Sequence, residues 1–422
     1  MLEPQSTGLF VLLIVVFGAL IWWLLVTRQP VLRLLAACLA FVPAMLFGVV
    51  AVNKYYGYYQ TWHAALADLT NQGGTTGNTA PPPALAAGTQ LSTLTRSDTS
   101  LKLAQQQGYT LRLLVTGPRS HITRAVYVYL PPEYFQPSYK TYRFPVIELI
   151  HGFPGGPQDW ITLLTVNLTL NSLVSQGAAK PAVLVMPDAN GARGVSLQCL
   201  NQYHGPQDNT FLAKDVPDYL SQRLRVEPPG RGWGIAGYSE GGFCAANFGL
   251  QHGRIFSYAG VMSGYFKPSD NQLTGPTRMV SAFRTRKQAL LNTPMHAVQA
   301  LPARQHIAQF WIGVGGADRS DLRAAEDFQQ LLLLREPGVP LKIVTTGRHT
   351  MYTWRILLPP MLSWMTPRLA AEAAADTARA VKARRNTATA GGQPHKPTSR
   401  SGSAKHHRRV TKHHAPATKR RA

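Results

Sequence analysis

The sequence predicts an α/β fold, a mostly parallel sheet with helices on both faces, behind two N-terminal transmembrane helices. Three observations predict it. Two long apolar runs open the chain. Eight short β-rich runs then alternate with helical stretches from about Leu91 to Pro367, the pattern of a sheet covered on both sides. One of those runs ends in a Gly-x-Ser-x-Gly turn.

The first apolar run, Leu9 to Val26, carries no charge, and the second, Val31 to Val52, carries only Arg33 near its start. Each reaches roughly the length needed to cross about 30 Å of hydrocarbon. A cleavable signal peptide fits less well, because the chain starts without a basic n-region and a second span follows at once. A buried hairpin of core helices is the other reading of these residues. Arg28 in the short linker, with Arg33, against only Glu3 in the N-terminal stub predicts a cytoplasmic linker. The N-terminus and everything after Val52 then lie outside, although Lys54 works against the asymmetry. Trp22, Trp23, Tyr55, Tyr56, Tyr58 and Tyr59 sit near the span ends, where aromatic rings favour the interface.

Residues Asn71 to Gly88, with Gly-Gly-Thr-Thr-Gly and Pro-Pro-Pro-Ala, hold too little apolar surface to pack and read as a flexible tether. The expected organisation is therefore a two-helix membrane anchor (1–54), an extracytoplasmic linker (55–90), a catalytic domain (91–367) and an Ala-rich, then basic, tail (368–422). The formal charge is +23, and from Arg379 onward there are thirteen Lys or Arg and no Asp or Glu. More than half of the excess thus sits in a tail too polar to fold.

The chain has three cysteines, Cys38, Cys199 and Cys244, and no C-x-x-C pair, which disfavours a metal centre or thioredoxin-like chemistry. No cofactor and no metal is expected. Cys38 lies in an apolar run, whereas Cys199 and Cys244 could pair if their domain is exported; spacing alone leaves that open.

The strand candidates are Thr110 to Val115, Ala125 to Leu130, Pro145 to Ile150, Ala182 to Met186, Trp233 to Ala236, Tyr258 to Met262, Phe310 to Val314 and Leu341 to Thr345. Several are continuous apolar runs, as strands buried on both faces should be. Gly237-Tyr238-Ser239-Glu240-Gly241 follows the fifth of them and precedes a small-residue, helix-compatible run. A sharp strand-to-helix turn needs small residues beside the serine, and it presents the hydroxyl at the sheet's C-terminal edge. The bland reading is a structural serine in a tight turn.

A serine attacks poorly unless a histidine accepts its proton and a carboxylate orients that imidazole. On this kind of sheet the order is Ser, acid, His, each after a later strand. Asp318 and His349 stand at those positions, so Ser239, Asp318 and His349 form the expected triad. Asp321, one turn further on, reads instead as a helix cap or a solubilising charge. His306 precedes a strand and falls at the wrong end; His296 sits in a loop without clear role. Oxyanion donors are expected from the backbone of Glu240 and from the loop His151-Gly152-Phe153-Pro154-Gly155-Gly156. Pro154 has no N–H, which leaves Phe153 or Gly152.

These residues resemble the esterase D and mycolyltransferase group of α/β-hydrolases, which includes S-formylglutathione hydrolases and feruloyl esterases. The likeness runs through Val126-Tyr127-Val128-Tyr129-Leu130-Pro131-Pro132-Glu133-Tyr134, Ile150-His151-Gly152, Val185-Met186-Pro187-Asp188, the serine turn, and Gly347-Arg348-His349-Thr350 with Trp354-Arg355. It covers about Ala125 to Trp364. It implies an α/β-hydrolase fold, Ser239 as nucleophile, Asp318 as acid, His349 as base, and Phe153 with Glu240 as oxyanion donors. Many members carry an apolar residue or Gln where this chain has Glu240, whose charge suits a helix N-terminus but stands near the oxyanion. In this resemblance Asp188 serves its loop rather than the triad.

The resulting expectation is a membrane-anchored, extracytoplasmic serine esterase or acyltransferase acting on lipid, glycan or small esters or thioesters. Acyl transfer by mycolyl-type chemistry would require a long apolar groove beside Ser239, and a shallow polar pocket would favour small esters. The alternative is a non-catalytic envelope-binding protein on the same scaffold. The basic tail suits anionic lipid or wall polymers, with nucleic acid disfavoured outside the cell.

Overall fold

The structure is a computed structural model that describes residues 2–69, 89–92, 97–191, 195–268 and 283–390. The tether expected at Asn71 to Gly88 and the most basic part of the tail lie outside the described residues. By internal packing the chain divides into Met1–Asp376 and Thr377–Ala422, and within the second the described residues, up to Ala390, are helical.

Two helices long and apolar enough to cross a membrane open the chain: α1 (Thr7–Val26) and α2 (Pro30–Tyr56). Ser6 caps α1 by accepting the N–H of Leu9, and Pro30 starts α2 where a missing N–H costs nothing. The two helices lie antiparallel, with Leu9 and Leu13 packed near Val50 and Lys54 Nζ donating to Thr7 Oγ1 at 2.9 Å. Most of their other apolar side chains are exposed, and so is Cys38. Gly57 ends α2 at φ +68°, a left-handed conformation open to glycine.

Eight strands follow: β1 (Tyr109–Thr116), β2 (Thr123–Leu130), β3 (Val146–Ile150), β4 (Val183–Pro187), β5 (Gly230–Tyr238), β6 (Phe256–Met262), β7 (Gln309–Gly315) and β8 (Leu341–Val344). They form one sheet in the order β1-β2-β4-β3-β5-β6-β7-β8. β2 is antiparallel to β1 and to β4; all later pairings are parallel. This is the mostly parallel α/β-hydrolase sheet expected from the sequence, with a strand at each expected run.

Because side chains alternate along a strand, β2 feeds two cores. Val126, Val128 and Leu130 belong to one, Tyr127 and Tyr129 to the other. The first core is closed by Phe243 and Phe248 from α3 (Glu240–Gln251) and Phe328 from α4 (Arg319–Leu333); the second by Leu357, Met361 and Leu362 from α5 (Met351–Ala390). Each large apolar side chain fully buried there contributes roughly 1.5–3 kcal/mol. The sheet is thereby rigid enough to hold the loops at its C-terminal edge in register.

Candidate active site

β5 delivers the serine. Ser239 has φ 56° and ψ −119°, a strained conformation for a side-chain-bearing residue, and α3 starts at the next residue. The flanking glycines are obligatory by contact. A Cβ on Gly237 would come 2.1 Å from the Gly241 carbonyl oxygen, and one on Gly241 would come 1.9 Å from that of Ile150. The turn is also tied down by its backbone, since the Ser239 N–H donates to the Met262 carbonyl at 3.0 Å.

The loops after β7 and β8 meet each other. The N–H groups of Gly316 and Ala317 donate to the carbonyls of Val344 and Gly347, which ties the loop leading into α4 to the histidine loop. The result is a continuous relay. His349 Nε2 lies 2.8 Å from Ser239 Oγ, and His349 Nδ1 lies 2.6 Å from Asp321 Oδ2. The histidine ring packs edge-on against Trp354 at 5.1 Å, and Trp354 in turn lies 4.5 Å from the Tyr238 ring. One wall of the imidazole is thus fixed by the core.

The acid differs from the sequence expectation. Asp318 lies within 4.8 Å of the histidine but makes no hydrogen bond to it: it is the N-cap of α4, accepting from the Asp321 N–H at 3.4 Å and the Ser320 hydroxyl at 2.9 Å. Asp321, in the first turn, takes the place beside His349. The geometry thus places Asp321 where the sequence predicts Asp318, and Asp318 at the cap, with α4 running from Arg319. A signal for this was present. Asp318 immediately precedes the amphipathic run Arg319–Leu333, the position where an aspartate side chain caps best.

Of the expected oxyanion residues, Glu240 follows the serine directly and Phe153 lies one residue beyond Gly152, which abuts it. Glu240 is the first residue of α3, and a Cβ on Gly152 would lie 3.1 Å from Ser239 Cβ, so the backbone running into Phe153 abuts the turn. The Glu240 side chain points inward, accepting from the Ser196 hydroxyl. Its burial pushes the carboxyl above the usual carboxylate range, with the Ser196 hydrogen bond opposing. Cys199 and Cys244 form a disulfide that fastens the loop after β4 to α3.

Asp188 serves its loop, accepting the N–H groups of Asn190 and Gly191 at 3.0 and 2.8 Å. Burial works against its charge, but these bonds and His151 hold its carboxyl down to about 2. His151 Nε2 accepts the Ala189 N–H at 3.1 Å and Nδ1 lies 2.8 Å from the Gly152 carbonyl. Arg124, paired with the buried Asp208, donates to the Ala189 carbonyl and braces the same loop.

Beside Phe153 opens a cleft of about 390 Å³ whose walls include Tyr58, Tyr59, Asp159, Asp188 and Asn190. It is not a long apolar groove. Tyr58 and Tyr59 come from the segment just past α2, where the sequence alone suggests only interfacial aromatics; nothing local in the sequence brings them to residues so far along the chain.

The family model described as Putative esterase matches residues 120–365, more than half of the chain. The chain belongs to this family. Among curated relatives of this chain, an uncharacterized protein of Corynebacterium glutamicum is 26% identical over 258 residues, 58% of this chain and 57% of the relative. The MPT51/MPB51 antigen of Mycobacterium tuberculosis is 28% identical over 131 residues, 31% of this chain and 40% of the antigen. The chain therefore spans about half the length of the curated relatives it matches. A solved ferulic acid esterase superposes with TM-score 0.54 at 21% identity, covering 62% of this chain and 99% of that one. A fluorophosphonate-binding serine hydrolase of Staphylococcus aureus gives TM-score 0.51 at 18% identity, covering 61% and 98%. These likenesses establish the α/β-hydrolase fold.

Proposed function

We propose that this esterase is a membrane-anchored, extracytoplasmic serine hydrolase or acyltransferase that works through an acyl-enzyme on Ser239. The observation carrying this reading is the relay Ser239–His349–Asp321, with contacts of 2.8 and 2.6 Å. His349 Nε2 takes the Ser239 proton as Oγ attacks the ester or thioester carbonyl. Asp321 holds Nδ1–H and stabilises the imidazolium that forms. The tetrahedral oxyanion accepts from the backbone N–H groups of Glu240 and Phe153. His349 then protonates the departing alcohol or thiol, and water or an acceptor hydroxyl resolves the acyl-enzyme by the reverse sequence.

The polar cleft beside Phe153 favours short acyl groups or polar alcohol portions over a long buried chain. Anchoring is supported by the exposed apolar faces of α1 and α2, and the outside placement by Arg28 and Arg33 in and after their linker and by the Cys199–Cys244 pair, which persists in oxidising compartments. The basic tail would hold anionic lipid or wall polymer, an attachment that added salt should weaken.

A fluorophosphonate probe tests the reading directly. Wild type is expected to label and Ser239→Ala is not. A folded wild-type protein that resists labelling would leave the same scaffold as a non-catalytic envelope-binding module.

A further inference from the structure

The segment leaving the membrane hairpin is pinned from two sides. From the hairpin, Asn53 donates to the Tyr59 carbonyl at 2.9 Å and accepts its N–H at 2.8 Å, and Gln5 adds a bond to the same carbonyl at 3.2 Å. From the sheet side, Arg355 on α5, six residues after His349, donates to the carbonyls of Gly57 and Tyr58 at 2.8 Å each. Its third bond, at 2.7 Å, goes to the carbonyl of Leu163, which lines the same cleft. One guanidinium therefore ties both walls of the cleft to the helix that follows the catalytic histidine. Burial lowers its pKa to about 10, so it remains a cation at neutral pH, and three carbonyls compensate its lost water.

We infer that the exit of the membrane anchor is part of the active site, with Tyr58 and Tyr59 as specificity-determining residues that select a hydroxyl-bearing alcohol portion of the ester. The inference rests on the serine-hydrolase reading of Ser239. The cleft borders the loop beside the serine: Phe153 lines it, and Gly152, one residue earlier, abuts Ser239, while Asp159 in its wall accepts from the hydroxyl of Tyr238 at 3.3 Å. Its polar surface suits hydroxyl groups. Asp159 and Asp188 place carboxylates in its wall as hydrogen-bond acceptors, and the half-buried Tyr58 and Tyr59 border it with aromatic rings that carry hydroxyl groups. A free acid or phosphate in the alcohol portion would face two carboxylates and be repelled.

The test uses the full chain in detergent micelles, with a disaccharide monobutyrate and p-nitrophenyl butyrate as substrates sharing one acyl group. The readout is the ratio of their kcat/KM values. Tyr58→Ala and Tyr59→Ala are each expected to lower the ratio about tenfold, as is Arg355→Lys, which cannot make the three-carbonyl clamp; Tyr58→Phe, which removes only a hydroxyl, is expected to lower it about threefold. Phe41→Ala, on an exposed face of α2, should leave it at the wild-type value. Fluorophosphonate labelling is followed in every variant. A wild type that does not label defeats the hydrolase reading itself. Variants that label like wild type but keep the ratio within twofold overturn the role of the anchor alone. If an alanine variant fails to fold, the Tyr58→Phe ratio decides.

Discussion

Asp321 Oδ2 lies 2.6 Å from His349 Nδ1 across 28 residues of chain, while Asp318, nearer the end of β7, faces the backbone of its own helix. The division of labour makes the two aspartates separable. Asp321→Asn should lower kcat for p-nitrophenyl esters by about 10³–10⁴-fold, because the imidazole loses the group that fixes its tautomer. Asp318→Ala should instead cost about 1 kcal/mol of stability through the lost cap and change kcat by only a few-fold. Steady-state kinetics and denaturant melts of both variants check this; equal kinetic losses would mean that Asp318 also orients the histidine.

Glu240 stands directly after the serine with a buried carboxyl whose pKa is raised. As pH rises through that pKa, negative charge builds beside the developing oxyanion and should depress kcat. Glu240→Gln has no such charge, so the ratio of variant to wild-type kcat should climb with pH above the ordinary glutamate range. A pH profile whose ratio stays flat would mean that the Glu240 charge is not felt at the oxyanion.

Glu148 is wholly buried in β3, and neither carboxylate oxygen has a hydrogen-bond partner among the described residues. Burial pushes its pKa well above the value of 4.5 that the unfolded chain retains. The folded state therefore keeps a proton that the unfolded state has released. Its contribution is fully present below about pH 4.5 and is lost as pH rises through the folded pKa. Urea titrations should show Glu148→Gln gaining stability relative to wild type as pH climbs from 4.5 toward neutrality. A difference independent of pH would show that the group is not held protonated.

The Cys199–Cys244 bridge closes a sequence separation of 45 residues between the loop after β4 and α3. A bridge of that span stabilises by about 2–4 kcal/mol, chiefly by restricting the unfolded chain. The double variant Cys199→Ser/Cys244→Ser, or added reductant, should lower Tm by several degrees. An unchanged Tm would mean that the bridge does not form in the purified protein.

The local text of the chain determined what depends on nearest neighbours. Apolar length marked α1 and α2, and β-rich runs marked each of the eight strands. The glycines around Ser239 marked the turn, since only a residue without a side chain tolerates the close approach of Ile150. The histidine was legible for the same reason, since it follows the last strand of a sheet whose order is stereotyped. The sequence could not choose between Asp318 and Asp321. Both lie within one helical turn, and which of them meets His349 depends on where α4 starts and how its first turn is rotated, a matter of packing. Nor could it seat Tyr58 and Tyr59 beside Phe153, because Arg355 reaches their segment across 297 and 298 residues of chain. Only the packed tertiary structure brings groups so distant into contact, because the sheet and the hairpin together set the distance between them.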